Sequence, residues 1–432
     1  MAAGRQPAQC AQFIQCRVIR QPADQSGAST LRLSTFVGMR YNTETISDVG
    51  AVTSPPYDVM DRSMIESLLN GNPRNIVRLI LPRMVADPMA GEDPYRRAAK
   101  LLAHWRAERV LVTDDSPALY VYAYGDAAHQ IRGLVGALEL RNYADRVVLP
   151  HEDVIDGIVS DRLAMLAAQD ANLEPIMLVY DGHGELTDIL DRVSARPPLA
   201  DVTAPDQTFH RLWALTASAD LRSVADHLER RQALIADGHH RYAAYLRNRD
   251  LHRGAGGRQG PWDKGLALLI DQTACPLQVG AIHRSISDLS IAQLKSVAEQ
   301  VDSLEVGPLA GLQGSSPQPS TRRGSLVVTD GTVQSTLALA VADSEILSDT
   351  QVLHERVIPA LGIPEDRLNY HHSVDQALRA ASQQAGVAVL LKPAATADVM
   401  RVAQAGLMMP RKSTSFGPKP RMGLIMRHYD DC

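Results

Sequence analysis

The stretch Ala233-Leu-Ile-Ala-Asp-Gly-His-His-Arg-Tyr-Ala-Ala-Tyr245 joins a short apolar run, a turn and a helix-forming segment. The apolar run stops at Asp237-Gly238, and two histidines and an arginine follow at once. This order is typical of a strand, a tight turn and the start of a helix. The polar side chains therefore collect in the turn, at the amino end of the predicted helix.

The predicted turn favours binding of an anion, above all a phosphate. The first N–H groups of a helix lack internal partners and carry partial positive charge. Gly238 tolerates positive φ and lets a ligand approach the backbone. Arg241 can contact phosphate oxygens in a bidentate manner, while His239 and His240 can donate hydrogen bonds or transfer a proton. Crowding of these three basic side chains would also be relieved by an anion.

The same residues have a structural interpretation. Asp237 can cap the helix, and the histidines can lie in a surface turn that has no function. The crowded positive charge favours the anion site, which would comprise Asp237, Gly238 and the three basic residues that follow them.

Composition narrows the class of protein. The 432 residues are 45% hydrophobic and 22% charged, which is ordinary for a globular chain of two or three domains. The net charge of −5 argues against a nucleic-acid partner. The four cysteines show no metal-binding spacing, and neither a secretory signal nor a membrane span is recognisable. We therefore expect a cytoplasmic protein with free thiols and no membrane partner.

Strand and helix signals mix without a steady βαβ rhythm, which predicts an α+β fold with mixed sheets. Strands are predicted at 118–124, 133–140, 174–180, 326–328, 335–340 and 387–391, and helices at 95–109, 160–171 and 397–405. Stretches rich in Gly, Pro and Ser at 253–260 and 311–324 indicate loops. We predict a mobile tail at 1–30, an α+β domain at 31–224, a core at 225–300 and a C-terminal α+β region at 301–432.

A second candidate for phosphate binding is the basic segment Met409-Pro-Arg-Lys-Ser-Thr-Ser-Phe-Gly-Pro-Lys-Pro-Arg421. Its four basic residues have no acid among them, and Lys412, Ser413 and Thr414 offer donors to a phosphate. The alternative is a solvated C-terminal segment. The apolar residues on both sides of the segment predict that it is anchored to the protein.

Two further motifs carry carboxylates. Ser54-Pro-Pro-Tyr-Asp-Val59 presents Asp58 in a rigid turn, as a general base, as a metal ligand or merely as a turn residue. His151-Glu-Asp153, followed by Asp156 and Asp161-Arg162, can hold Mg²⁺ together with phosphate oxygens or can simply suit helix amino ends. Glu152 is the candidate from this second group for a base or magnesium ligand.

Taken together, the motifs resemble a known family. Ile235-Ala-Asp-Gly-His-His-Arg-Tyr242 is similar to the phosphate-binding signature of the ParB/sulfiredoxin-like superfamily. The whole set of motifs resembles the bacterial family with domain of unknown function 1015. The motifs that carry this resemblance lie at 54–59, 72–75, 151–152, 161–162, 235–242, 282–284, 409–414 and 418–420.

The resemblance implies a nucleotide-binding core around the central motif, with phosphates held by His239, His240 and Arg241. Relatives include ParB proteins, sulfiredoxins and kinases of free serine. Sulfiredoxin chemistry needs a cysteine in the motif, and ParB proteins add a DNA-binding helix-turn-helix; neither is found here. A kinase is the activity left by elimination.

We therefore expect a nucleotide-dependent phosphotransferase acting on a small hydroxylated metabolite such as serine, with ATP or ADP and Mg²⁺ as cofactors. His239 and His240, with Glu152 and Asp58, are the candidate catalytic residues, and Lys412 and Ser413 would close the site. The alternatives are a nucleotide-binding regulatory protein without turnover and a phosphatase that uses the same anion site.

Overall fold

The computed structural model describes residues 30–86, 91–301, 304–312, 316–322, 324–339 and 348–431. Most of the predicted mobile tail, together with Cys10, Cys16 and Cys432, lies outside these residues, as does part of the predicted loop 311–324. Cys275 carries a free thiol, as expected. No helix in the described ranges is both long and apolar enough to cross a membrane.

The strands are β1 (Leu33–Ser34), β2 (Met39–Tyr41), β3 (Leu111–Thr113), β4 (Leu119–Gly125), β5 (Gln130–Glu139), β6 (Val148–Leu149), β7 (Ala171–Asn172), β8 (Ile176–Tyr180), β9 (Ala200–Thr203), β10 (Phe209–Leu215), β11 (Ala233–Asp237), β12 (Lys264–Asp271), β13 (Gln278–Gly280), β14 (His283–Ile286), β15 (Leu304–Val306), β16 (Ala310–Gly311), β17 (Ser325–Thr329), β18 (Val333–Leu339), β19 (Leu368–His371), β20 (Val387–Leu390), β21 (Ser415–Gly417) and β22 (Arg427–His428).

The α-helices are α1 (Val49–Val52), α2 (Arg62–Gly71), α3 (Val77–Ile80), α4 (Pro94–Ala107), α5 (Asp156–Gln169), α6 (Thr187–Ser194), α7 (Ser218–Leu228), α8 (His239–Arg253), α9 (Ile291–Ala298), α10 (Asp349–Val352), α11 (Ile358–Leu361), α12 (Val374–Gln383) and α13 (Thr396–Gln404). The strands and helices predicted from sequence periodicity all lie among these elements, with ends shifted by a few residues.

A large mixed sheet organises the first two thirds of the chain. Its order in the described residues is β6-β11-β8-β12-β5-β4-β10-β9, with β1 also paired to β5. Most neighbours are antiparallel, whereas β11–β6 and β12–β8 are parallel. The predicted α+β class with mixed sheets is confirmed. The predicted domain boundary at residue 225 falls inside this sheet, because β11 pairs with strands from the segment before it.

Both faces of the large sheet are covered, as β4 illustrates. Alternate side chains of a strand point to opposite faces. Val121 packs into the core beneath α5 to α8, while Tyr122 and Tyr124 pack into the core shared with α13 and the C-terminal segment. The apolar residues Leu424 and Ile425 are buried in this second core, so the basic segment is anchored as predicted.

A second sheet has the order β15-β18-β17-β20-β14-β19 in the described residues, with β16 paired to β18. Together with α9 to α12 it forms a lobe with its own apolar core. Strand β13 lies on the path between the two sheets and pairs with β21 of the basic segment. The end of the large sheet, the second lobe and the basic segment therefore meet in one place.

Candidate active site

The turn after β11 is built as the sequence predicts, with Gly238 as its key residue. Gly238 has a φ of +96°, and a Cβ there would lie 2.5 Å from Ile176 Cγ2. Glycine is the residue that tolerates both conditions. Helix α8 begins immediately after it, and no described side chain caps its amino end. The alternative interpretation of Asp237, as a cap of this helix, is therefore not supported.

The separated motifs converge on a cleft at the amino end of α8, which we call the anion cleft. Its volume is about 70 Å³. It draws residues from the Pro-Pro-Tyr-Asp turn, the His-Glu-Asp motif, the central motif and the basic segment. The lining includes Tyr57, Asp58, Glu152, Asp237, Gly238, His239, His240, Arg241, His372, Lys412, Thr414 and Lys419.

Charged groups on one side of the anion cleft neutralise each other. The Lys419 ammonium lies 2.6 Å from Asp58 Oδ2 and also contacts Asp237. Arg241 pairs with the other oxygen of Asp237 and donates to the carbonyl of Pro175. Burial opposes ionisation of Asp237, but Lys419 and Arg241 outweigh it and keep its pKa below the ordinary value. Burial likewise opposes charge on Lys419, whose pKa is nevertheless raised by the two carboxylates.

This pairing gives Asp237 and Arg241, both predicted from sequence to bind phosphate, a role within the protein itself. Arg241 is 3% exposed, and its guanidinium pairs with Asp237 although the residue also lines the cleft. Asp237 contributes an anion to the network. Both residues therefore hold the turn in place, and neither charge is free among the described residues.

The histidines are neutral. Burial lowers the pKa of His239 far below its ordinary value, lowers that of His240 to about 4 and that of His151 to about 3. The main-chain N–H of His151 donates to Nε2 of His239, and that of Ile155 donates to Nε2 of His240 at 3.0 Å. Since Nε2 accepts in both rings, the proton of each ring lies on Nδ1. The prediction of crowded positive charge at this turn is wrong, because burial removes it from both histidines.

Glu152 lines the same cleft but is not part of this ion-paired network. Its Oε2 accepts the main-chain N–H of Lys412 at 3.1 Å, and its Oε1 is 3.7 Å from Nδ1 of His239. Burial raises the pKa of Glu152 to about 7, and the charge of Lys412 limits the rise. This carboxyl group therefore exchanges a proton near neutral pH, as a general acid or base requires.

Lys412 is a cation without a counter-ion, since no carboxylate among the described residues forms an ion pair with it. It has a φ of +56°. The carbonyls of Arg411 and Lys412 accept hydrogen bonds from Arg284, a fully buried residue of the second lobe that also stacks on Tyr370. The second lobe thus holds the basic segment against the large sheet.

The two hydroxyl residues after Lys412 differ. Thr414 lines the cleft, and its Oγ1 is 2.8 Å from Nε2 of His151. Ser413 is 4% exposed, and its hydroxyl donates to the carbonyl of Pro410, so it stabilises the loop from within.

The acidic candidates contribute unequally. Asp156 pairs with Arg247 at the surface, and Asp161 pairs with Arg162 and accepts from Tyr95, so neither reaches the cleft. The described residues contain no group of three or more His, Cys, Asp or Glu side chains arranged to hold a metal ion. Within the described part of the site, Asp58 Oδ1 is buried and has no hydrogen-bond partner.

Sequence reasoning missed His372 and the structural role of Lys419. His372 follows β19 and lines the cleft from the second lobe. The adjacent pair His371-His372 is a signal of the same kind as the pair at 239–240 and could have marked it. The role of Lys419 could not be read from sequence, because its two partners lie 361 and 182 residues away.

The sequence matches one known protein family over most of its length. A family model described as "Protein of unknown function (DUF1015)" matches residues 33–356. This chain belongs to the DUF1015 family. The match contains Asp58, Glu152 and the central motif and ends before the basic segment, although the sequence resemblance extends into that segment. No curated protein matches the sequence.

Several solved structures show distant similarity to this DUF1015 protein. Free serine kinase in complex with AMP is 14% identical, with a TM-score of 0.33, covering 63% of this chain and 84% of that chain. SbnI with a C-terminal truncation, from Staphylococcus aureus, is 12% identical, with a TM-score of 0.36, covering 66% and 82%. A conserved hypothetical protein from Pyrococcus furiosus is 13% identical, with a TM-score of 0.34, covering 65% and 90%. Likeness at this level assigns no function to the DUF1015 protein.

Proposed function

We propose that this protein is a nucleotide-dependent phosphotransferase whose acceptor is a small hydroxylated metabolite, with serine the first candidate. The observation that carries the proposal is the position of Glu152. A carboxyl group with a pKa of about 7 lies beside the uncapped amino end of α8 and the unpaired Lys412. A proton acceptor and an anion site therefore occupy the same small cleft.

Two features of the cleft support phosphate binding. The amino end of α8 offers main-chain N–H groups at a glycine, where a ligand can approach closely. Lys412 adds a positive charge that attracts Glu152 and Asp237 but forms no close ion pair with a carboxylate of the described residues. An anionic oxygen bound there would take the place of the missing helix cap and of the missing counter-ion.

Glu152 would then serve as the general base. The acceptor hydroxyl attacks the γ-phosphorus of ATP, and its proton passes to the Glu152 carboxylate. The bond between the γ-phosphorus and the bridging oxygen breaks, and ADP leaves with that electron pair. The Nδ1 of neutral His239 lies 3.7 Å from Glu152 Oε1, so its N–H would orient the carboxylate once the two groups come within hydrogen-bond distance.

Asp58 is the residue that would hold Mg²⁺. Its buried Oδ1 lacks a partner among the described residues, and Mg²⁺ commonly binds one or two carboxylates together with nucleotide phosphates. When bound, the ion supplies charge neutralisation on the phosphates. Lys419 keeps the second oxygen of Asp58 in place.

Binding is tested first, by titration calorimetry of the purified full chain with ATP and ADP. Lys412→Ala should weaken ATP binding about 10- to 100-fold, since a charged hydrogen bond contributes about 1.5–3 kcal/mol. The matched control is Lys392→Ala, which removes the same charge from a lysine whose Nζ donates to the carbonyl of Thr321. The control should bind ATP like the wild type.

Turnover is tested by ³¹P NMR with ATP and a panel of hydroxylated metabolites that includes serine. We expect ADP and a phosphomonoester. Glu152→Gln should keep ATP affinity but lose about 10²–10⁴ in kcat, the usual contribution of general-base catalysis. In the wild type, kcat should rise with pH through about 7 as Glu152 loses its proton.

Two results would contradict the proposal and select an alternative. ATP binding without turnover of any acceptor would indicate a nucleotide-responsive regulatory protein. Release of phosphate from phosphoserine in the absence of nucleotide would indicate a phosphatase that uses the same anion site.

A further inference from the structure

A second and larger cavity opens directly beside the anion cleft, and we call it the side cavity. Its volume is about 420 Å³. Both cavities are lined by His372, Ser415, Phe416 and Lys419, so they are neighbours across a shared wall. None of the roles proposed above uses the side cavity.

The two volumes suit different parts of one ligand. Pockets for drug-sized ligands have volumes of about 300–1,000 Å³. The side cavity lies within this range, whereas the anion cleft, at about 70 Å³, does not. The cleft has room for phosphoryl groups, and a nucleotide bound there needs further space for its remaining part.

The walls of the side cavity differ chemically from those of the cleft. Pro55 and Pro56 line the side cavity but not the cleft, and they offer apolar surfaces against which a flat ring can pack. The polar groups at the wall include Asp206, Thr208 and Gln376.

Asp206 is the acidic group of the side cavity. Arg421, which also lines this cavity, lies with its Nη1 3.8 Å from Asp206 Oδ2 and donates through its Nε to Thr53. Burial opposes ionisation of Asp206, but hydrogen bonds from Thr208 outweigh burial, and the pKa of Asp206 lies below the ordinary value. An ionised carboxylate repels phosphate and accepts hydrogen bonds from hydroxyl or amino groups. The side cavity therefore has in Asp206 an acceptor for ligand hydroxyl groups, whereas the anion cleft has in Lys412 a cation that forms no ion pair with a described carboxylate.

We infer that the side cavity receives the nucleoside of the nucleotide, with its base against the surfaces of Pro55 and Pro56 and its ribose towards Asp206. The phosphates would pass the shared wall at Ser415 and Lys419 into the anion cleft. This inference rests on the proposed nucleotide-dependent function and adds where the nucleoside binds.

The test compares ATP with inorganic tripolyphosphate, which has the phosphates but no nucleoside. Gln376 is exposed on α12 and lines the side cavity, so Gln376→Trp should fill the cavity without unfolding the lobe. We expect at least about tenfold weaker ATP binding and unchanged tripolyphosphate binding, both measured by calorimetry. Lys412→Ala should weaken both ligands.

Two controls separate filling of the cavity from other effects. Asp375→Trp places the same residue on the same helix outside the cavity lining. Gln376→Ala removes the hydrogen bond that the main-chain N–H of His372 donates to Gln376, without filling the cavity. Both variants should bind ATP within about threefold of the wild type, a difference of less than about 1 kcal/mol.

The outcomes are distinguishable. If Gln376→Trp binds ATP as well as Asp375→Trp does, while Lys412→Ala binds it weakly, the nucleoside lies elsewhere and only this inference is overturned. If the wild type binds tripolyphosphate but not ATP, both the inference and the nucleotide-dependent function are overturned.

Discussion

The residues of the anion cleft fall into two groups, which we call its two halves. The charged side chains of one half form ion pairs with each other, whereas those of the other half do not. In the ion-paired half, Lys419 forms ion pairs with both Asp58 and Asp237, and Arg241 forms an ion pair with Asp237. In the open half, Lys412 has no described counter-ion, and Glu152 holds a proton up to about neutral pH. Both lysines belong to the same short basic segment, seven positions apart.

The contrast separates residues that build the site from residues that are free to act in it. Removing a buried charged side chain that is already paired destabilises the folded protein, because its partners are left uncompensated. A ligand adds little to the stability of such a pair. A charge without a counter-ion gains most when an anion arrives. The residue types alone do not distinguish Lys412 from Lys419, and neither does their position in the basic segment.

The largest effect should come from breaking the ion-paired half. Lys419→Met leaves Asp58 and Asp237 with a missing partner in a buried site, which should lower the free energy of unfolding by about 3–5 kcal/mol. Lys412→Met is the matched control and should change it by less than about 1 kcal/mol. Urea denaturation measures both values. Equal stability of the two variants would contradict the division into halves.

The next largest effect is a pH dependence of the free energy of unfolding, which comes from the proton of Glu152 in the open half. The pKa of Glu152 is about 7 in the folded protein, whereas an unfolded glutamate has a pKa of about 4.3. Between these values the folded state keeps a proton that the unfolded state has released, so the free energy of unfolding falls as pH rises. The fall from this group should be on the order of 4 kcal/mol, at about 1.36 kcal/mol for each of the roughly 2.7 pH units between the two pKa values.

This effect is measured as the difference between the wild type and Glu152→Gln in urea denaturation from pH 4 to pH 8. The buried histidines give an opposite slope, because their pKa values are lowered, but both proteins contain them and their contribution cancels. A difference that stays constant over this range would show that the Glu152 pKa is not raised.

The smallest effect is the loss of stability that we expect when Gly238, in the turn before α8, is replaced. Gly238→Ala forces a side chain into positive φ and against Ile176, and it should cost about 1–3 kcal/mol of stability. Gly157→Ala in α5 is the control, because a Cβ there meets no atom within 4 Å. This control should leave stability unchanged or raise it by about 0.5–1 kcal/mol. Thermal unfolding of both variants decides whether Gly238 is required by geometry.

Local elements were predictable from the sequence because they depend on near neighbours. The apolar run before Asp237 and the glycine after it predicted the end of β11 and the start of α8. The strand predicted at 118–124 corresponds to β4, and the apolar flanks predicted that the basic segment is anchored. Glu152, Asp58 and Lys412 were identified as candidates from their motifs.

The charge states at the site were not predictable in this way. Both histidines after Gly238 are basic by residue type, yet they are neutral because they are buried. Arg241 has the side chain of a phosphate ligand, yet it is buried and pairs with Asp237, the last residue of β11. Whether a side chain is buried or paired depends on segments that reach it only in the folded protein.

The sequence by itself therefore determined the strand, the turn and the helix at 233–245, since backbone preferences act over a few residues. Tertiary structure decided which of the charged groups near that turn are free. Lys419 reaches Asp58 across 361 positions, and Arg284 of the second lobe holds the carbonyl of Lys412 across 128. Solvation and Coulomb energy depend on distance in space, and only the packing of the two sheets and the basic segment sets that distance.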